Sequence, residues 1–347
     1  LVNLNNLLDS ANCDSLLVSE PANVRYLSGF TTPKDGKVLI NRNGATLVTD
    51  GRYIVQAGQE SRIPVRIMKQ RNELPAICAE LLHGKVGFEA DHLTVGVLSD
   101  LQGAAPREWV ATRGLLEQIR RVKSADELNH IRAATQLANR AYGHVLGLIE
   151  PGIREMDVAM ELERYMRSEG SEGSLFVAVV SGPRTAMPHG VATNRRIEPG
   201  DLVTIDLGAV VQGYTSDMTR TFGVGDMRPE LVRLYEAVLA AQEAALQAVA
   251  PGKSGKELDT IARDLLTDRG YGEYFAHSLG HGVGLFIHEG PSLSQISTDA
   301  LQAGMVVTIE PGAYIPDVGG VRIEDLVVVT PTGHEVLTTP SKAWLSL

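Results

Sequence analysis

In the second half of the chain the apolar residues follow a helical period, then a strand period, and then repeat both. Small or apolar residues at 128, 131, 135, 138, 142, 145 and 149 make a helical stripe that stops at Pro151-Gly152. Ser124 and Glu127 open it as a capping box, in which the serine oxygen and the glutamate carboxylate satisfy N–H groups left unpaired at a helix start. A second amphipathic stretch runs on to Gly170, with Met156, Met160 and Met166 expected to fill its buried face. The punctuation returns at Pro251-Gly252 and Gly270, around a helix predicted over 254–269 with its own box, Ser254 and Glu257, and a core stripe of Leu258, Ile261, Leu265 and Leu266.

Each helical pair precedes strand-like segments that share a phrase. GDLVTIDLG at 200–208 and GMVVTIEPG at 304–312 align as G-x-[LV]-V-T-I-[DE]-x-G, so Asp206 and Glu310 hold one place in two copies. A further strand follows each copy and carries another acid, Asp217 in GYTSDMTRTF and Glu324 in GVRIEDLVVV. Two helices and then strands, twice over, predict a duplicated α+β unit closed about a pseudo-twofold axis, since two copies are too few for a solenoid.

The first third has a different texture. SLLVS, RYLSGF, KVLIN, ATLVTDGRY, PVRIM and KVGFEA read as short strands between Gly, Asn, Pro and Asp clusters, and KVLINRNGATLV reads as a hairpin turning at Asn43-Gly44. With helices between some of them, these strands predict a small α/β domain. Around LLEQIRRVKSADE the chain turns basic and polar, which places a boundary near 120 and divides the chain into 1–120 and 121–347.

Two domains suit 347 residues, and 44% hydrophobic with 21% charged residues is an ordinary globular balance. A net charge of −10 argues against nucleic acid or an anionic membrane as partner. The apolar runs are too short to span a bilayer, and the opening LVNLNNLLDSANCDS lacks the basic region of a signal peptide. Cys13 and Cys78 show no ligand spacing and read as core thiols in a reducing cytoplasm.

Between the two copies, HSLGHGVGLFIHEG brings His277, His281 and His288. Asp206 and Asp217 flank GAVVQGYT; with a turn centred on Val211-Gln212 they would pair directly, about 5 Å apart at Cβ. Like charges that close repel unless a cation lies between them. Arg322 and Glu324, two residues apart, share a strand face, and Gly280 and Gly282 leave room around His281. Four carboxylates and one imidazole without thiolates make a hard, oxygen-rich set for two divalent ions, Mn²⁺ or Co²⁺ ahead of Zn²⁺. Such a pair supplies hydroxide at neutral pH and polarises a carbonyl, so hydrolysis is the implied chemistry. A dinuclear phosphoesterase is the alternative on chemistry alone, although only Arg220 and Arg322 are near enough in sequence to serve a phosphate.

Asp206, Asp217, His281, Glu310 and Glu324, set in GHGVGLFIHEGP and GGVRIED, resemble the dinuclear metallopeptidases of the pita-bread, creatinase/aminopeptidase fold, and within them the Xaa-Pro peptidases, aminopeptidase P and prolidase. YLSGF, TDGRY and SGPRTAMPHG extend the resemblance over the whole chain. It implies a creatinase-like N-terminal domain before a pita-bread catalytic domain. It also implies that Asp206 binds one metal, that His281 and Glu310 hold mainly the other, and that Asp217 and Glu324 bridge them. Glu310 doubles as acid/base partner, His189 and His288 contact the substrate carbonyl and move protons, His277 lines the proline pocket, and Arg322 orients Asp217 or Glu324. The expected substrates are short peptides with proline second, the expected state a cytoplasmic homodimer with TTPKDGK at 31–37 reaching the partner's site. An Xaa-Pro bond has no N–H and restricts the residue before it, so its recognition needs a dedicated apolar slot. Some prolidases carry an arginine in a pattern like HExPR for the dipeptide's carboxylate. Ser292 stands at that place here, which favours aminopeptidase P over prolidase. A non-catalytic peptide-binding relative is the alternative of another class, set against five filled ligand positions.

Overall fold

The computed structural model describes residues 2–347. The chain divides into two compact units, one ending at Ile119 and the other running from Arg120 to Leu347.

The first unit runs α1 (Leu4–Ser10), β1 (Ser15–Val18), α2 (Pro21–Ser28), β2 (Lys37–Asn41), β3 (Gly44–Asp50), α3 (Ile54–Glu60), β4 (Val65–Met68), α4 (Leu74–Leu81), β5 (Val86–Glu89), α5 (Val95–Ala104) and β6 (Trp109–Thr112), and α6 (Leu115–Arg121) spans the boundary. The strands form one mixed sheet in the order β4-β3-β2-β1-β5-β6. Alternation along central β1 feeds two cores, Leu16 and Val18 packing with Val24 and Phe30, and Leu17 with Ile77 and Leu82.

Two expectations fail here. RYLSGF is no strand, because its first residues complete α2. The Glu20 side chain accepts from the Asn23 N–H, Pro21 sits at the first helical position, and Gly29 closes the helix at φ +82°. The hairpin turns one residue early, at Arg42-Asn43, with Asn41 opposite Gly44. Strand β6 went unanticipated.

In the second unit, α7 (Ala125–Leu146) and α8 (Glu155–Ser168) precede β7 (Ser174–Ser181), β8 (Leu202–Val211), β9 (Tyr214–Thr215) and β10 (Met218–Gly223). Then α9 (Pro229–Gln247) and α10 (Gly255–Asp268) precede β11 (Gly280–Gly282), β12 (Glu289–Leu293), β13 (Val306–Ile309), β14 (Gly312–Ile315), β15 (Gly319–Arg322), β16 (Asp325–Thr330) and β17 (Gly333–Val336). The first set makes a sheet in the order β10-β8-β7, and the second a sheet in the order β12-β11-β13-β16-β17, with β14 and β15 as a hairpin. Duplication reaches individual hydrogen bonds. Gly152 N–H donates to Ile197 O at 2.7 Å, and Gly252 N–H to Leu301 O at 2.8 Å. Gly200 and Gly304 share φ near +90°. Both helical stripes face the core, with Ile131, Ala138 and Val145 buried in one half and Leu258 and Leu266 in the other, while Ile261 and Leu265 are half-buried and Met160 points outward at 63% exposure.

Candidate metal centre

Both acidic strand pairs turn on register. In the second half, Ile309 faces Asp325 and Gly312 faces Arg322, which sets Glu310 opposite Glu324 at the break between β13 and β14. The first half differs from expectation. Its turn is Gln212-Gly213, with φ +51° and +79°, the left-handed pair a tight two-residue hairpin favours. Moving the turn by one residue shifts pairing by two, so Asp206 faces Thr219, not Asp217. Asp217 lies on the same face just before β10, where the ladder opens around Gly208.

His281 comes from β11, bound by its N–H to Thr308 Oγ1 at 3.0 Å. Its flanking glycines make room for backbone: a Cβ on Gly280 would lie 2.1 Å from Thr308 O, and one on Gly282 2.2 Å from Gly290 O. His281 Nδ1 lies 3.1 Å from Gly282 O; donating there turns Nε2 toward the acids, 3.2 Å from Glu310 Oε1 and 3.6 Å from Asp217 Oδ2. Asp217, His281 and Glu324 each offer one ligand atom, all within 4.8 Å of one another.

Arg322 corrects a second expectation. Its Nη2 donates directly to Asp206 Oδ2 at 2.5 Å, a partner the expectation did not name, and it reaches Glu324 only through Thr219. Its Nε donates to Thr219 Oγ1 at 3.1 Å, and that hydroxyl donates to Glu324 Oε2 at 2.7 Å. Arg322 Nη1 reaches Tyr314 Oη at 3.0 Å and Pro188 O at 3.1 Å. Tyr314 Oη also lies 2.9 Å from His277 Nε2, while His277 Nδ1 lies 2.8 Å from Ser278 O, so both ring nitrogens are engaged. His288 packs edge-on against His281, ring centres 4.5 Å apart. His189 is exposed, close enough for its charge to act on His277 and His288. Its loop hangs from fully buried Glu155, which accepts from Ser181 N–H and Oγ and from Thr193 N–H and Oγ1 at 2.8–3.0 Å and pairs with Arg184.

Burial, then Glu324 and Asp206, hold the Asp217 carboxyl well above the usual range; burial, then Glu310 and Asp206, do the same for Glu324. Asp206 is raised by burial, against the opposing charge of Arg322. Burial works the same way on Glu310, but His281, His277 and Arg322 outweigh it and keep that carboxyl low. Burial lowers His277 and His288, favouring neutral rings. Among the described residues, Asp206 Oδ1 and Glu324 Oε1 are buried with no hydrogen-bond donor. Buried carboxylate oxygens without donors, beside an imidazole whose Nε2 faces the acids, fit divalent cations.

Residues 129–331 match the model of metallopeptidase family M24, and residues 1–122 that of the creatinase/prolidase N-terminal domain. The chain belongs to metallopeptidase family M24. An Xaa-Pro dipeptidase of Pyrococcus horikoshii is 41% identical over 95% of this chain and 94% of its own length. The solved Xaa-Pro dipeptidase from Bacillus anthracis is 42% identical, with TM-score 0.95 over 99% of this chain and 98% of that one. The solved X-Pro aminopeptidase from Thermotoga maritima is 35% identical, with TM-score 0.90 over 99% of this chain and 100% of that one. The duplicated unit is the M24 family's pita-bread fold, with the creatinase-type domain before it.

Sequence reasoning missed Thr219, Tyr314 and Glu155. Thr219 was findable, since it stands two residues after Asp217 and so shares its strand face. Glu155 had no signal beyond its place in a helix start.

Proposed function

We propose that this M24 peptidase is an Xaa-Pro dipeptidase acting through two divalent ions, Mn²⁺ before Co²⁺ or Zn²⁺. The observation that carries the metal reading is the convergence of Asp217, His281 and Glu324 beside carboxylate oxygens that lack donors. The dipeptide reading departs from the one suggested by Ser292. It is supported by the dipeptidase relatives, 39–42% identical to this chain, against 35% for the aminopeptidase.

In this reading Asp206 would hold one ion, His281 and Glu310 the other, and Asp217 and Glu324 would serve both. When bound, the ions supply hydroxide at neutral pH and polarise the scissile carbonyl. Glu310, low in pKa and on the His281 side, takes the proton of the attacking water and delivers it toward the proline nitrogen. His189 and His288, exposed at the mouth, donate to the carbonyl oxygen as charge develops on it. His277, its nitrogens satisfied by Tyr314 and Ser278, offers the substrate an uncharged ring, which suits a slot for proline. Arg322 fixes the Asp206 carboxylate and, through Pro188 O, the segment before His189.

Ser292 is exposed on β12 and supports aminopeptidase P as the second reading, because a dipeptide's free carboxylate finds no cation there. The deciding experiment compares Ala-Pro, Ala-Pro-Ala and Ala-Ala-Ala with Mn²⁺, Co²⁺ or Zn²⁺. Preference for Ala-Pro supports the dipeptidase, preference for Ala-Pro-Ala the aminopeptidase, and hydrolysis that survives complete metal removal overturns both.

A further inference from the structure

Behind Glu324 lies a buried polar cluster that the hydrolytic roles do not use. Asp325 follows Glu324 directly, and its carboxylate is 1% exposed. Arg220, one residue after Thr219, donates from Nη2 to Asp325 Oδ1 at 2.8 Å. Its Nη1 donates to two backbone carbonyls, Thr219 O at 3.0 Å and Glu324 O at 2.5 Å. One guanidinium nitrogen therefore holds together the backbones on which Thr219 and Glu324 stand, and these come from opposite halves of the duplicated unit.

Gln242 of α9 donates to Asp325 Oδ2 at 2.9 Å and accepts from Lys342 Nζ at 2.7 Å, and the remaining members come from the C-terminal segment. Lys342 Nζ donates to Asp325 Oδ2 at 2.6 Å, Thr338 Oγ1 to Asp325 Oδ1 at 2.6 Å, and Pro340 O accepts from Arg220 Nη2 at 2.9 Å and Nε at 3.1 Å. The segment is also fastened to the strand carrying Arg220, Gly223 N–H donating to Leu345 O at 2.9 Å and Leu347 N–H to Gly223 O at 3.0 Å. A buried ion cluster of this kind is poorly explained by stability, because well-packed apolar residues serve stability as well or better. Its position, one residue behind a ligand on one strand and behind that ligand's hydrogen-bond partner on the other, matches a device that fixes geometry.

We propose that the C-terminal segment is a working part of the metal centre: Lys342 and Thr338 are positioning residues that, through Asp325 and Arg220, set Glu324 against Thr219 and so tune affinity for the divalent ions. The inference rests on the dinuclear reading above. Groups that orient ligands in this way typically change metal affinity 10–100-fold when removed.

The test titrates Mn²⁺ into metal-stripped protein by calorimetry and needs no turnover. The proteins are wild type, Lys342→Met, Lys342→Arg and Thr338→Val, with Lys253→Met, at a side chain 45% exposed, as control. Wild type should bind two ions. Lys342→Met and Thr338→Val should bind the weaker ion at least about tenfold less tightly, Lys342→Arg should recover most of that loss, and Lys253→Met should match wild type. Circular dichroism of each stripped variant separates loosened geometry from unfolding, and if Lys342→Met does not fold, Thr338→Val decides. Folded variants that bind both ions with wild-type affinity overturn the inference. A wild type that binds fewer than two ions overturns the dinuclear reading beneath it.

Discussion

Asp217 and Glu324 are buried carboxyls beside other acids, and both titrate well above their usual range. In the metal-free protein the fold keeps those protons after the unfolded chain has released them. Their effect on stability is therefore favourable at low pH and is lost as pH rises from about 4 through the raised folded values. Divalent ions compete with the same protons, so affinity should climb with pH. Mn²⁺ titrations at about pH 6 and about pH 8, in buffers of different ionisation enthalpy, should show tighter binding at the higher pH and proton release on binding. Asp217→Ala and Glu324→Ala should lose both ions by elemental analysis, and full occupancy in either would remove it from between the metals. His189→Ala and His288→Ala should keep the ions and lower kcat by about 10²-fold, the usual scale for a positioned proton carrier or oxyanion donor. His130, stacked on Tyr214, and His144, bound to Glu161, are controls whose replacement should leave kcat unchanged.

Strand β11 is three residues long, yet it presents His281 to the centre, because glycines on either side let neighbouring backbones close in. A methyl group on Gly282 would meet Gly290 O, and one on Gly280 would meet Thr308 O, and in both cases backbone must move. Gly282→Ala should therefore destabilise the metal-free protein by about 1–3 kcal/mol in denaturant melts, the usual cost of overpacking. Gly143 is the contrast. It lies exposed in α7, and a methyl group added there would have nothing within 4 Å, so Gly143→Ala should stabilise by about 0.5–1 kcal/mol through helix propensity. A loss at Gly143, or none at Gly282, would contradict this reading of the two elements.

At the scale of the whole molecule, the expected homodimer is tested by light scattering; a fully active monomer at assay concentration would exclude it. The 31–37 segment proposed to reach a partner is pinned at its base, Thr31 Oγ1 bonding Glu60 and Asp35 accepting from Arg52 and Tyr53, while Lys34 between them is exposed. Substrate length belongs to this scale too, because the cation that would receive a dipeptide's carboxylate is absent from position 292. Ala-Pro should nonetheless exceed Ala-Pro-Ala in kcat/KM by tenfold or more, about 1.4 kcal/mol, in keeping with the dipeptidase relatives. The reverse order would make this an aminopeptidase P.

The periodicity of two helical stripes, their caps at Ser124 and Ser254, and one strand phrase written twice were enough to place the duplicated unit and to mark Asp206 and Glu310 as equivalent acids, while the proposed ligand set with His281 drew also on the family resemblance. These are local signals, carried by residues a few positions apart, and they survive without knowledge of what packs against what. Register does not. A turn displaced by one residue moved Asp206 from Asp217 to Thr219 and left Arg322 to bind Asp206, because strand pairing depends on which residues adopt left-handed backbone. The strand read at RYLSGF was lost to a helix cap at Glu20 three residues away from its partner Asn23. Long-range partners lay further out of reach. Arg220 meets Asp325 and Pro340, and Lys342 meets Asp325, across separations in sequence that no period or motif encodes, so only the folded chain decides which buried charges come to lie behind the proposed metal ligands.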